Sequence, residues 1–223
     1  MGNRAFGERL GQVASPAAYR AASALLCLVP ETPMLFMGQE WSASTPFQFF
    51  TDHNPELGAL ITQGRRKEFR HFAAFSDPAR LAEIPDPQEA STFANSKLRW
   101  EELREEKHAQ VLLLYQEFLR LRRTHPAFRT RARDNFIATK IDDNVVALFF
   151  GEPGRYDLAV LIDLIGGHEM PNLDLARFTP DDERDWHPLL SSNEERFGGS
   201  GQTLFAEPNT LVLTLVEGRR VRN

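Results

Sequence analysis

Apolar residues recur at two different spacings along this chain, and the change falls near residue 130. Upstream the spacing is helical, with one short continuous apolar run; downstream it is alternation broken by turns. Residues 16–28 predict a helix, with Ser15 as N-cap and Pro16 at the first helical position, where a missing N–H costs nothing. Pro30 and Pro33 bracket its exit. The run Met34-Leu35-Phe36-Met37, closed by Gly38, predicts a short buried parallel strand covered on both faces. Residues 39–63 show no sustained period but are rich in rings and polar groups: Trp41, Phe47, Phe49, Phe50, Asp52 and His53. A loop of that length and content predicts a functional segment rather than disorder. Gly64 to Phe75 predicts a short helix with Phe69, Phe72 and Ala73 on one side, and residues 76–99, with Pro78, Pro85 and Pro87, an irregular excursion. A long helix follows over about 101–124, with Val111, Leu114, Tyr115, Phe118 and Leu121 on one face and Gln110, Glu117, Arg120 and Arg123 opposite. His125-Pro126 ends it.

The remainder predicts antiparallel strands at Phe136–Lys140, Val145–Phe150, Leu158–Leu164 and Thr210–Val216. Leu189-Leu190 and Thr203–Phe205 are shorter candidates. Asp142-Asp143-Asn144 and Pro153-Gly154 supply turns, and residues 166–185 are turn-rich. Five or six strands are enough for a small β-sandwich. The lone parallel strand is the informative oddity, because parallel strands come in sets joined by crossover helices. It points to the tail of a larger α/β domain.

Composition narrows the class. The 223 residues are 42% hydrophobic and 26% charged, with a formal charge of −5, which excludes a strongly basic nucleic-acid binder. The single cysteine, Cys27, forbids an intrachain disulfide and fits a reducing compartment. No apolar run is long enough to span a bilayer, and the N-terminal residues have no signal-peptide core. The expectation is a cytoplasmic protein with no membrane or nucleic-acid partner.

Most candidate motifs have structural readings. The six histidines are scattered without metal-ligand spacing, so neither a metal nor another cofactor is expected. Gly198-Gly199-Ser200-Gly201 lacks the Lys-Ser/Thr of a phosphate loop and predicts a turn. Cys27 lies mid-helix in an apolar stretch and predicts a structural thiol. Arg65-Arg66-Lys67 is placed at a helix start, where cations oppose the dipole; a solvated face, a salt bridge to Glu68 or Asp77, and an anionic partner all remain open. The strongest candidate is Phe36-Met37-Gly38-Gln39-Glu40-Trp41. A carboxylate and an indole at the C-terminal end of a parallel strand stand where α/β folds place ligands. A ring beside hydrogen-bonding groups suits a sugar, although such a Trp can equally be core.

The segment Pro33–Trp41, followed by Phe47 and Phe50-Thr51-Asp52-His53, resembles the eighth-strand region of malto-oligosyltrehalose trehalohydrolases, retaining glycosidases of the α-amylase superfamily. Further matches are Gly64–Phe69, Ile84–Gln88, Thr92-Phe93, Ser96–Leu98, Tyr115 to Pro126, and Glu195–Gly199. The resemblance implies an α/β plus all-β architecture: the C-terminal end of a (β/α)8 barrel over residues 1–128, then an antiparallel β-sandwich over 129–223. It also implies that the catalytic carboxylates are absent. Retaining glycosidases need two carboxyl groups about 5–5.5 Å apart. In the family these come from barrel strands four and five, and a third aspartate follows strand seven in a motif resembling Asn-His-Asp-Gln-x-Gly-Asn-Arg. The match here begins at Asn3-Arg4-Ala5-Phe6-Gly7, so all three would lie before residue 1, and no acidic residue of this chain is carried over as catalytic.

The implied reaction is hydrolysis of the α-1,4 bond beside the terminal trehalose unit of maltooligosyl trehalose. Asn3 and Arg4 would lie on the seventh-strand loop, Glu40 and Trp41 on the eighth-strand rim, and Asp52 and His53 in the loop that follows. The implied partners are an α-1,4-glucan substrate and the missing N-terminal barrel portion. The fragment is expected to be inactive alone and to expose apolar surface at Met34–Met37; a misplaced start codon, a broken gene or a partial contig would explain the truncation. Two alternatives stand beside this reading: a glycogen branching enzyme fragment, which shares Met-Gly-Gln-Glu-Trp loosely, and a non-catalytic glucan-binding or interaction module.

Overall fold

The computed structural model describes residues 4–128, 135–152, 155–167, 184–202 and 205–217. They group into two compact units: residues up to Ala14 with Met37–Arg104, and Ser15–Phe36 with the chain from Glu105 onward.

The second unit is built on one antiparallel sheet of five strands, β1 (Phe136–Lys140), β2 (Val145–Glu152), β3 (Arg155–Asp163), β4 (Arg184–Ser191) and β5 (Asn209–Glu217), in the order β1-β2-β3-β5-β4. Alternation along β2 and β3 divides the side chains between two faces. Leu148, Phe150, Leu158, Val160 and Ile162 pack into one buried cluster with Leu190 and Val212; Val145, Ala147, Phe149, Ala159 and Leu161 pack into the other with Phe205, Leu211 and Leu213. Irregularities between Phe150 and Gly151 and between Pro188 and Leu190 shift the register.

The first face is covered by helices α2 (Pro16–Leu28) and α6 (Glu106–Thr124), not by a second sheet. Among the described residues the expected sandwich is therefore a helix-backed sheet. The physical reason is the pair of apolar helix stripes upstream. Ala24, Cys27 and Leu28 of α2 meet Leu114, Tyr115, Phe118 and Leu121 of α6, and together they seal the sheet face. Ser15 caps α2 as expected, its hydroxyl accepting from the Ala18 amide at 3.2 Å. Cys27 is fully buried, and burial pushes its thiol up to about 12, so it stays protonated and inert.

Polar groups pin the same packing. Buried Arg20 donates to the Ser192 carbonyl (3.2 Å) and to Asn193 Oδ1 (2.9 Å), and the Thr210 hydroxyl donates to the Ala21 carbonyl (2.9 Å). Arg122 of α6 reaches the C-terminus of α2 and donates to the carbonyls of Cys27, Val29, Pro30 and Glu31. These are orphan acceptors at the negative end of a helix, where a guanidinium is best placed.

Beyond α2 the chain departs from expectation. Among the described residues Met34-Leu35-Phe36 is not part of a strand, and Met34 is 87% exposed. A strand needs a ladder with a neighbour, and the ladders among the described residues are those of the five-stranded sheet. The expected burial of this run is thus corrected, while its expected apolar exposure is observed.

The first unit is short helices and loops: α1 (Leu10–Val13), α3 (Pro55–Phe69), α4 (Pro78–Ala82) and α5 (Ala90–Asn95), with 3-10 turns at Gln39–Trp41, Ala73–Phe75 and Trp100–Arg104. Phe69, Ile84 and Ala5 form its small core with Phe6, Phe75 and Leu81 packed around them. The helix expected over Gly64–Phe75 starts at Pro55 instead and ends at Phe69; Asn54 caps it, accepting from the Leu57 amide at 2.9 Å. Phe72 lies past its end and is exposed. Arg66 and Lys67 consequently sit in the last turn of α3, where cations favour the dipole, so the basic run needs no anionic partner. The long helix expected from residue 101 begins at Glu106, after the tighter Trp100–Arg104 turn. Of the remaining expected turns and strands, Pro153-Gly154, residues 168–183 and Thr203-Leu204 lie outside the described residues, and Phe205 is in a turn.

Candidate functional site

The Gly38–Thr45 loop carries the strongest sequence candidates and has an unusual backbone. Gly38 (φ +80°) and Ser42 (φ +54°) both sit in the left-handed region, on either side of the Gln39–Trp41 turn. Glycine is required at 38, since a Cβ there would stand 2.6 Å from Leu98 and 2.8 Å from Ala43. Ser42 pays the steric cost that a glycine avoids. Two backbone bonds close the loop: Ser42 N–H to the Gln39 carbonyl (3.0 Å) and Ala43 N–H to the Gly38 carbonyl (2.8 Å).

Trp41 is 2% exposed, its ring 5.0 Å from that of Trp100 and tilted by 41°. Trp100 is 63% exposed, so in this chain the solvent-facing indole of the pair is Trp100. Glu40 is half-buried.

Two sets of side chains grip this loop. From one side come residues at the start of α1. Arg9, itself buried, donates Nε to the Thr45 carbonyl (2.5 Å) and Nη1 to the Met37 carbonyl (2.8 Å), and Gln12 donates to the Ser44 carbonyl (2.7 Å). From the other side comes Glu102, 1% exposed. Its carboxylate accepts the Ser44 amide (3.1 Å), the Ser44 hydroxyl, and Arg99 Nε and Nη2 (2.8 and 2.6 Å). Burial pushes the Glu102 carboxyl up, but the Ser44 and Arg99 donors outweigh it and bring it down to about 2. Its stabilisation is therefore complete above the ordinary carboxylate range and is lost as the pH falls through about 2. A permanently ionised, fully bonded carboxylate cannot serve as a general acid at neutral pH.

The remaining candidates lie on adjoining segments of the same unit. Arg4 is exposed, 3.5 Å from Glu8, and its carbonyl accepts Arg65 Nη2 at 2.8 Å. Arg65 is buried, with its guanidinium over the rings of Phe49 (5.2 Å) and Phe69 (4.6 Å) and bonded to Glu68 (3.0 Å). Gly7 then docks on the aromatic loop: the Phe47 amide donates to its carbonyl at 2.8 Å. Asn3 lies outside the described residues.

Asp52 and His53 expose their side chains on a pinned backbone. Gln88 Oε1 accepts the Thr51 hydroxyl (2.5 Å) and the His53 amide (3.3 Å), and Gln88 Nε2 donates to the His53 carbonyl (2.9 Å). Asp86 in turn accepts the Gln88 amide (3.0 Å) and the Thr62 hydroxyl (2.7 Å). Burial pushes the Asp86 carboxyl up, but those two donors and the Arg66 charge leave it lowered overall.

The structure thus joins the segments bearing Arg4, Glu40 and Trp41 through Gly7 and Arg9, and fixes Asp52 and His53 through Gln88. Arg9, Gln88, Arg99 and Glu102 escaped sequence reasoning. Gln88 stood inside a segment that carried the resemblance; Glu102 had no signal beyond its type. Among the described residues no group of three or more His, Cys, Asp or Glu side chains could hold a metal ion, and no helix is long and apolar enough to cross a membrane.

Comparison with known proteins gives a consistent result. No family model matches the chain. It is 47% identical over 146 residues to the malto-oligosyltrehalose trehalohydrolase of Deinococcus radiodurans, covering 66% of this chain and 24% of that protein. The enzyme of the same name from Brevibacterium helvolum is 49% identical over 127 residues, covering 56% of this chain and 21% of that protein. The counterpart from Mycobacterium tuberculosis is 41% identical over 123 residues, covering 55% and 20%. Among solved structures, a Salmonella typhimurium protein described as an alpha amylase superposes with a TM-score of 0.72 at 27% identity, covering 96% of this chain and 33% of that one. Trehalose-6-phosphate hydrolase of Bacillus licheniformis shares the fold at 15% identity, with a TM-score of 0.53, covering 93% and 40%. The chain therefore spans about a quarter or less of these curated relatives, each of which bears the name malto-oligosyltrehalose trehalohydrolase.

Proposed function

We propose that this chain is the C-terminal part of a malto-oligosyltrehalose trehalohydrolase, in which residues 1–128 complete the catalytic barrel and residues from 129 form the C-terminal β-domain. The intact enzyme would hydrolyse the α-1,4 bond beside the terminal trehalose unit and release trehalose. The observation that carries this reading is the 47% identity over 146 residues to an enzyme of that name.

The electrostatics support placing the catalytic carboxylates elsewhere. A retaining glycosidase needs a carboxylic acid whose pKa is raised. Among the described residues the carboxyl groups clearly perturbed, Asp86, Glu102, Glu117, Asp143 and Glu207, are shifted down, each by bonded or charged neighbours. The contribution of this chain would then be a substrate rim. Asn3 and Arg4, Glu40, and Asp52 and His53 are the residues proposed to contact an α-1,4-glucan, with Trp41, buried against Trp100, shaping the rim from behind. The exposed Met34 and Met37 (87% and 52%) support an apolar face completed by the upstream barrel portion. The product would act in the cytoplasm without metal or organic cofactor.

The test is a product assay on the longer in-frame gene product: free trehalose is expected, whereas new α-1,6 branches would assign it as a branching enzyme instead. Retention of the 223-residue chain on amylose, with no hydrolysis by the longer product, would favour a glucan-binding module. Trp41→Ala in the longer product is expected to raise KM by about tenfold, the equivalent of roughly 1.4 kcal/mol of lost binding; unchanged KM and kcat would remove Trp41 from the rim.

A further inference from the structure

We propose that Glu102 and Arg9 are positioning residues for the rim: they hold the Gly38–Thr45 loop in the bent form that places Glu40 at the rim with the Trp41 ring packed behind it. The proposal rests on the trehalohydrolase reading for what the loop presents, and on geometry alone for what holds it.

Three observations carry it. The loop has two left-handed residues, and Ser42 is in that conformation at a steric cost. Such a backbone persists only where its surroundings over-determine it, and such sites cluster at binding and catalytic centres. The surroundings here are charged and buried. Arg9 and Glu102 are almost fully buried, from opposite ends of the first unit, and each places hydrogen bonds on the loop backbone or its Ser44 hydroxyl. Burying two ionised groups is costly unless their hydrogen bonds repay it. Apolar side chains would anchor an ordinary surface loop at lower cost. Bonds that fix direction are needed when the loop must hold one geometry.

The clasp also spans long sequence separations. Arg9 binds at Met37 and Thr45, and Glu102 at Ser44, so neither belongs to the loop it shapes. The wall behind the loop is closed by Leu98, against which Gly38 leaves no room for a Cβ. The turn between them therefore has little freedom to swing.

The experiment uses the 223-residue chain and amide hydrogen exchange, with Glu102→Ala as the main variant. Protection of the Ala43 and Ser44 amides is expected to fall about tenfold or more, the equivalent of 1.4 kcal/mol or more, while the Leu158–Ile162 sheet amides and the α3 amides keep theirs. Glu102→Gln, which keeps size and an acceptor for the Ser44 amide, is expected to restore most of it. If Glu102→Ala does not fold, Arg9→Lys gives the same reading, because an ammonium cannot serve both the Met37 and Thr45 carbonyls. Unchanged Ala43 and Ser44 protection in both variants overturns the proposal. So does a uniform loss across α3 and the loop, which would mark a general fold contribution.

In the longer gene product, Glu102→Ala is expected to raise KM by about fivefold with kcat within about twofold, and Glu102→Gln to restore most of the loss. A collapse of kcat at unchanged KM overturns the positioning role. The exchange arm involves no sugar, so absence of trehalose release would defeat the functional reading and leave the clasp standing.

Discussion

Replacing Arg122 by alanine is expected to destabilise the sheet-bearing unit by about 3 kcal/mol, one of the two largest effects of any single substitution considered. The guanidinium donates to four carbonyls, those of Cys27, Val29, Pro30 and Glu31, at the end of α2. Removing it leaves acceptors without a donor at the negative pole of a helix. Cys27 and its neighbours pack directly under the sheet, so the loss cannot be absorbed by fraying alone. Arg122→Lys should recover about half, since an ammonium is a point charge that cannot fan out over four oxygens. Amide exchange of Leu158–Ile162 reads the outcome. Protection unchanged in Arg122→Ala would mean that solvent replaces the guanidinium at no cost.

Gly7→Ala is expected to cost the helical unit about 3 kcal/mol, in the upper range for forcing a side chain into strained backbone. Gly7 has φ +73°, and a Cβ there would stand 2.3 Å from the Phe47 carbonyl oxygen and 2.6 Å from the Gln48 nitrogen. Both are backbone atoms, so no flexible side chain can yield. The Phe47 amide already bonds to the Gly7 carbonyl at 2.8 Å, and relief of the clash would break that bond. The substitution should therefore lower exchange protection at Phe47 and uncouple the Arg4 segment from the aromatic loop. Unaltered protection at Phe47 would show that the contact is not needed.

How much of this was legible in the sequence depends on the range of the interaction. Helix α2 was legible because Ser15-Pro16 is a local start signal and the alanine- and leucine-rich run that follows favours a helix. The main strands were legible through alternation, with Phe136–Lys140 matching its boundaries. The same local logic could have placed the start of α3, since Asn54-Pro55 repeats the Ser15-Pro16 signal. It was masked by Gly58 and by Leu57 and Leu60, which are exposed and break the apolar stripe. Reading the helix about two and a half turns late also misplaced Arg65-Arg66-Lys67 against the dipole. The Met34–Met37 run was misread as a strand because its length and flanking Pro and Gly are local signals, whereas a strand is made by its ladder. The sandwich expectation could not foresee that, among the described residues, α2 and α6 cover the face of the sheet.

The candidate site divides the same way. Glu40 and Trp41 stood out because an indole beside a carboxylate after an apolar run is a local pattern. The residues that hold them are remote in sequence: Arg9 acts over 28 and 36 residues, Glu102 over 58, and Gln88 over 35. No periodicity links such pairs, and only the folded backbone brings them together.

The most direct test of the account is to incubate two purified proteins with maltooligosyl trehalose and quantify free trehalose: the 223-residue chain, and the longer product translated in frame from upstream. The account predicts trehalose from the longer product and none from the 223-residue chain. Trehalose released by the 223-residue chain alone, or none released by the longer product, would contradict it.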